Sequence, residues 1–389
     1  MVKSIPVDTL YYTTIVTRDA KSAALKHSEF YGIKKWRVAR LTPDRLHNKS
    51  WQGRGPGRAN NDGLHGNTPA GGEFGFMMVN GVTDDGAVEF QFIQPICGMS
   101  TFEQFLCTRG MGVHGVFMSV MKSADFAALK ASLKGEGIGV AQSFVIEGVA
   151  EFYFLDTRKA LGGFYVQVVV PLRADWESAM PCDEVWDFSA EVAAQPDVAA
   201  ATKRTTAIPH FGVIVHDLHA HLGNFAKLFN VDIWRGMNWR TEAGSLEDTT
   251  NNGKPVVHSY FTGRADIGKT KSGAPFGFEV VQPCFGSSHY KEDFLLVLGP
   301  GIHHIDLNFP VTDWPEWEKL NQWLDEGFKA PCCMSGWLRG RSALFQYQDT
   351  RKSLGYVTEI HAPRPPDFNG PKVRWAPDYW YDFGAPNVD

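Results

Sequence analysis

The chain has 389 residues and a formal charge of −5, with acids and bases spread along its length, which leaves no basic stripe of the kind a nucleic-acid backbone demands. No apolar run approaches the roughly 20 residues that cross a bilayer, so neither nucleic acid nor membrane is an expected partner and a small molecule is. The length admits two domains, and 27 Phe with 12 Trp can supply large cores or an aromatic pocket.

The opening, MVKSIPVDTLYYTT, lacks the apolar stretch of a signal peptide, and a cytoplasmic protein is expected. Tyr11 to Asp19, YYTTIVTRD, is the first recognisable unit. Gly53 to Asn67 is Gly-rich but has neither the spacing nor the strand-to-helix context of a phosphate loop, and reads as a flexible loop. Phe90 to Gly112 then gives a strand, a Gln-Pro, a polar turn, an aromatic-rich helix and a Gly-x-Gly exit. Asp156 to Gly162, DTRKALG, is followed by an aromatic-containing strand ending at Pro171. The stretch 172–206 lacks sustained periodicity and reads as a linker with one short helix.

The rest of the chain repeats what came before. PHFGVIVHD, from Pro209 to Asp217, sits against the opening; Phe278 to Gly301 matches Phe90 to Gly112; and Asp349 to Gly355, DTRKSLG, repeats DTRKALG. One unit of about 190 residues is present twice, as an N-terminal domain at 1–171 and a C-terminal domain at 207–389. Each copy divides again. Asp217 is an N-cap residue before a helix whose Leu222, Phe225, Leu228 and Phe229 share a face, and strands follow up to Gln282 and Pro283. After Gly301 the order resumes with the strand HHIDLNFPV, a helix from Asp313 to Phe328, and the strands ALFQYQD and YVTEIHA. The expected class is α+β, with four βαβββ modules. Thr241 to Pro275 reads as a long loop able to act as a lid or substrate selector.

Four metal-capable side chains occupy matching places in the second copy. His210 and His304 lie in the first strands of its two modules; Glu279 and Glu359 lie in the last strands, each four residues before a proline. Both carboxylates sit among apolar neighbours, where a charge is costly unless paired or coordinated. Two imidazoles and two carboxylates suit one divalent ion, Zn, Fe, Mn, Co or Ni, with room for substrate oxygens. The equivalent positions of the first copy are Tyr12, Gln91, Gly115 and Gln167, which do not make a metal site.

The module order, HFGVIVHD, FEVVQP, GPGIHHIDLNF and YVTEIHAP resemble the vicinal oxygen chelate superfamily of glyoxalases, bleomycin-resistance proteins and extradiol dioxygenases, and the C-terminal half is most similar to methylmalonyl-CoA epimerase. The resemblance implies two tandem domains of that superfamily, with His210, Glu279, His304 and Glu359 as ligands and His303 as the non-ligand of the adjacent pair. His114 aligns with His303. The first half would then be a scaffold, dimer substitute or pocket wall, and a homo-oligomer is compatible with the resemblance.

In that superfamily the metal polarises substrate oxygens. A second carboxylate exceeds what a two-His-one-carboxylate iron oxygenase requires, so proton transfer beside a carbonyl is expected, by an isomerase, epimerase or lyase acting on a small, aromatic-compatible molecule. The alternatives are an Fe(II)-dependent extradiol or 2-oxo-acid dioxygenase, and a non-catalytic small-molecule binder. Glu359 or Glu279 is the expected catalytic base, with His303, Asp306, Tyr347 and His361 as other candidates. Strand alternation turns His303 away from His304 and puts Asp306 on its side, able to orient a ligand imidazole. Arg339 and Arg341 are candidates for binding a substrate carboxylate or phosphate, with a solvated hairpin as the default reading, and the six cysteines, which include Cys332 and Cys333 but no CxxC pair, read as buried or idle thiols.

Overall fold

The computed structural model describes residues 4–52, 73–197, 205, 207–307, 311, 313–363 and 376–384. The Gly-rich loop from Gly53 to Asn67 lies outside the described residues. Contacts divide the chain into two compact units, Met1–Lys159 with Phe164–Ala193, and Ala160–Gly163 with Ala194–Asp389. Among the described residues no helix is long and apolar enough to cross a membrane, and all six cysteines are free thiols.

Each unit is built on one large sheet with the same internal logic. In the first, the strand Tyr12–Val16 leads into the helix Ala20–Tyr31, then the strands Lys35–Leu41, Gly75–Val82 and Glu89–Cys97. Asp19 caps the helix by accepting from the Ser22 amide, and Gly32 ends it in the left-handed region at φ 75°. A second strand–helix–strands module follows from Gly112 to Pro171. Both first strands run parallel to the last strand of their own module and antiparallel to each other, so the two modules meet at one seam. The second unit repeats the scheme. Its strand His210–Ile214 pairs parallel with Pro275–Gly286 and antiparallel with Gly301–Asp306, which pairs parallel with Val357–Ala362.

Connectivity shows that both sheets curl. Lys35–Leu41 lies next to the edge strand at one end of the first sheet, while His47–Trp51, six residues onward, forms the opposite edge by pairing with Val140–Ile146. Six residues reach at most about 20 Å, which brings the two ends of a ten-stranded sheet close together. In the second sheet Ile233–Arg240 and Leu246–Asn251 make the same crossing onto Cys332–Leu338. The concave face that results is where inward-pointing side chains of different modules converge.

Two expectations need correction. The stretch from Thr241 to Pro275 is largely strand: Leu246–Asn251, Lys254–Pro255 and His258–Lys269, the last paired along the whole of Pro275–Gly286. The turn at Asn252 and Gly253, both with positive φ, is the Asn-Gly hairpin signal. The flanking residues are too polar for an apolar alternation to be read from them. Within the 172–206 connector, Glu184–Asp187 pairs with Lys35–Leu41 as the first sheet's other edge, between the short helices Trp176–Ala179 and Ser189–Ala193. A four-residue edge strand is below what periodicity can register.

The first unit buries His27 and His114 in apolar, aromatic surroundings, and this makes its stability pH-dependent. His27 is fully buried against the rings of Phe90 and Phe92, with Nδ1–H donating to the Ala23 carbonyl at 3.0 Å. Burial pushes its pKa down to about 3, and that of His114 likewise. The unfolded chain takes up these protons first, so stability falls as pH drops below about 6.5 and keeps falling toward 3. His27→Gln keeps a donor and does not titrate. Denaturant titrations at pH 7 and pH 5 are expected to show the wild-type first unit losing about 2 kcal/mol more than the variant. Equal losses would contradict the buried neutral assignment.

Candidate metal centre

His210, Glu279, His304 and Glu359 come from four different strands of the second sheet and meet on its concave face. One ligand-type atom from each lies within 4.8 Å of all the others. His210 Nε2 is 3.0 Å from Glu359 Oε2 and 3.7 Å from Glu279 Oε2; His304 Nε2 is 3.3 and 3.6 Å from the same two oxygens. The two imidazole planes stand nearly perpendicular, at 85°.

Register explains why the four meet. Gly212 is the shared neighbour of Glu279 on one side and His304 on the other, and Glu359 faces Asp306, two residues beyond His304. A bulge is needed too. The pairing jumps from Gly212–His304 to Val213–Ile302, leaving His303 as an extra residue. The same bulge occurs in the first sheet, where His114 is the extra residue. Gly212 is glycine for a steric reason: a Cβ there would fall inside the His304 ring.

Each ligand-type group is held from behind. Asp306 Oδ2 lies 3.1 Å from His210 Nδ1, so Asp306 does face a cluster imidazole, that of His210. His303 Nδ1 is 3.0 Å from His304 Nδ1, and its Nε2 is 2.8 Å from His289 Nδ1; the bulge turns the non-cluster histidine into the support of its neighbour. Burial and the neighbouring histidines keep His303 uncharged. Tyr290 donates to Tyr347 at 2.5 Å, and Tyr347 donates to Glu359 Oε1 at 2.8 Å. Burial raises both phenols well above their usual value, so they stay protonated donors. The sequence offers Tyr347 only as an alternative base, and His303 as an alternative base or as a supporting or interface residue turned away from His304; His289 and Tyr290, which complete the two chains, carry no signal there beyond lying in an aromatic-rich helix.

The cluster fits a cation. His210 Nε2, His304 Nε2 and Glu359 Oε2 are buried without a hydrogen-bond partner of good geometry among the described residues, and all three face one point. Such buried atoms are costly unless something occupies that point. Burial works against the charges, but the carboxylates of Glu359 and Glu279 lift His304 to about 9, and the imidazoles of His304 and His210 hold Glu359 well below the carboxylate range. A divalent ion bound by neutral imidazoles replaces such protons.

Beside the cluster opens a cavity of about 350 Å³, whose lining includes His210, Glu279 and Glu359 of the cluster together with Trp239, Tyr260 and Phe345. His361 and Arg264 also line it. Arg339 and Arg341 do not: they pair at the surface with Asp378, and with Glu247 and Asp248.

The equivalent point of the first sheet is closed. The same register brings together Tyr12, Gln91, Gly115 and Gln167. There Gln167 donates to the Tyr12 hydroxyl at 2.9 Å and Thr14 donates to Gln91 at 3.3 Å. Thr14 stands where Gly212 stands, and Gly115 where His304 stands; without an imidazole to accommodate, the neighbouring strand can carry a side chain.

No protein-family model and no curated protein sequence matches the chain. Solved structures do: a triple mutant of 4-hydroxymandelate synthase from Streptomyces coelicolor (12% identity, 92% of this chain and 94% of that one, TM-score 0.48), a halotolerant catechol dioxygenase (10%, 91% and 86%, TM-score 0.41) and methylmalonyl-CoA epimerase from Mycobacterium tuberculosis (17%, 46% and 96%, TM-score 0.30). At such identities and TM-scores these likenesses carry no weight beyond themselves. The chain's own strand pairing does: two βαβββ modules are joined along their first strands into a curled sheet, twice over, the arrangement expected from the resemblance to vicinal oxygen chelate proteins.

Proposed function

We propose that the chain is a metal-dependent enzyme in which His210, Glu279, His304 and Glu359 hold one divalent ion, and that it moves a proton beside a carbonyl of a small molecule, as an isomerase, epimerase or lyase. The observation that carries this reading is the set of buried, unpartnered ligand atoms facing one point beside a cavity. The metal-bearing domain is 207–389, and 1–171 serves as scaffold. When bound, the ion supplies Lewis-acid stabilisation of negative charge developing on a substrate oxygen.

The two carboxylates differ in a way that supports Glu279 as the base. Glu359 is almost fully buried and is tied at Oε1 by Tyr347, which supports a ligand role. Glu279 is the more exposed of the two, at 17% of its side chain against 6%, and among the described residues its ion-pair approaches are the 3.6 and 3.7 Å ones to the imidazoles. It borders the cavity and can swing toward a bound molecule, take a proton at Oε2 and return it. Asp306 and His303 keep the two imidazoles in place while it moves, and Trp239, Tyr260 and Phe345 keep water away from the exchanged proton.

Elemental analysis after native purification tests the reading. Near one equivalent of metal is expected in the wild type, and a strong reduction in Glu279→Ala and His304→Ala proteins that still fold. A wild type without metal, even after reconstitution, sinks the proposal and leaves a binding protein. Oxygen uptake with Fe(II) and catechols or 2-oxo acids would move the chemistry to a dioxygenase.

A further inference from the structure

Arg264 is the one cavity-lining arginine, and nothing described in the structure engages it. It lies on the strand His258–Lys269, directly across from Glu279 in the antiparallel register. Its side chain is half-buried, lines the cavity and has its Nε shielded from solvent without a hydrogen-bond partner. No ion pair to it is formed among the described residues, although Glu279 is its cross-strand neighbour. Two other partly buried arginines behave differently: Arg158 is clamped by Asp156 and Arg351 by Asp349, each through two guanidinium nitrogens. The first sheet carries Asn80 against Gln91 at the equivalent pair, so the guanidinium accompanies only the half with the acidic cluster.

A half-buried guanidinium left without a carboxylate loses hydrogen bonds that water cannot fully replace. It also presents the planar fork that a carboxylate matches through two parallel bonds. The acids around it set the charge of what it can take. Glu279, Glu359 and Asp306 surround the same small space, which penalises a dianion such as phosphate more than a monoanion. Trp239, Leu338, Ala343 and Phe345 give the wall an apolar part beside the polar groups, and about 350 Å³ is at the small end of ligand sites.

Resting on the metal-site reading above, we propose that Arg264 recognises a carboxylate, and that the molecule taken by the cavity is a compact carboxylic acid with an apolar or aromatic body. Arg264 is a specificity-determining residue that aligns the acid so that its other oxygens reach the cluster.

The test measures binding of benzoate, phenylacetate and 3-phenylpropanoate against their primary amides, by calorimetry or ligand-observed NMR. It uses protein whose metal content has been determined, both loaded and stripped. Wild type is expected to bind at least one acid about tenfold or more tightly than its amide, in both forms, because the guanidinium remains when the ion is removed. Arg264→Gln should erase this preference while leaving amide affinity and metal content unchanged, and Arg264→Lys should keep part of it. If no acid is preferred over its amide, or if Arg264→Gln weakens acid and amide alike or loses metal, Arg264 only balances the charge of Glu279 and the proposal is overturned. Failure of the metal reading shows up separately, as wild-type protein without metal, and leaves the acid-over-amide comparison standing.

Discussion

Gly212→Val protein is expected to lose most of its divalent metal, although residue 212 offers no ligand. Gly212 is hydrogen-bonded between the strands that carry Glu279 and His304, and any Cβ on it points into the His304 ring. The ring has little room to retreat, being fully buried with Tyr347 at 4.9 Å and His303 at 5.3 Å between centroids. The strand must therefore shift or the imidazole must swing off the cluster. Overpacking of this kind costs about 1–3 kcal/mol, and loss of a correctly placed ligand lowers metal affinity by at least the 10- to 100-fold typical of changes behind a ligand. A stability assay alone cannot separate these effects, but a double variant can. In Gly212→Val with His304→Ala the clash has nothing to meet, so thermal stability should recover toward that of His304→Ala alone while metal stays absent. Additive destabilisation would mean the two residues do not share the space the structure gives them.

This dependence on a glycine shows where sequence reading stops. The duplicated motifs, the βαβββ order and the four cluster residues were all legible, because each rests on a local signal: an apolar strand carrying a charge, a helix behind Asp217, a repeated DTRK. Gly212 was visible only as one letter of HFGVIVHD; its role depends on which side chain crosses the neighbouring strand. The bulge at His303 is likewise a property of pairing, and simple alternation sent that side chain away from His304 when the extra residue instead brings it to 3.0 Å. Arg264 lay in a stretch read as loop, so nothing placed it in a pocket. The two arginines that did attract attention, Arg339 and Arg341, sit at the surface with acids beside them.

The register comparison between halves also explains how one copy keeps the fold while carrying no such cluster among its equivalent positions. Each cluster residue occupies a position whose backbone pairing is the same in both sheets, so Tyr12, Gln91 and Gln167 fill the first with neutral groups, Gln167 donating to Tyr12 and Gln91 accepting from Thr14. Returning ligands to the first half would require a reciprocal change, a smaller residue at Thr14 together with an imidazole at Gly115, because the two positions share one space. The sheet's stability therefore comes from its apolar layers and strand pairing, and the cluster is an addition to it.

The sharpest separation of roles is expected from Glu279→Gln compared with Glu359→Gln. The first replaces a carboxylate that is only loosely held and borders the cavity. Its amide oxygen remains a neutral ligand, so a substantial part of the metal should stay. The second removes the buried charge that faces both imidazoles at 3.0 and 3.3 Å, and metal should fall away with it. If Glu279 is the base, deuterium exchange from heavy water into small carbonyl acids, followed by proton NMR, should drop by about 10²–10⁴-fold in metal-replete Glu279→Gln. Rates normalised to bound metal decide the matter. A normalised rate equal to that of the wild type would leave Glu279 a ligand only and shift the proton-transfer role to His361, which lines the same cavity. A normalised collapse, with metal still in place, would assign one carboxylate to holding the ion and the other to the chemistry, an asymmetry that begins with the hydroxyl of Tyr347 binding one of them and not the other.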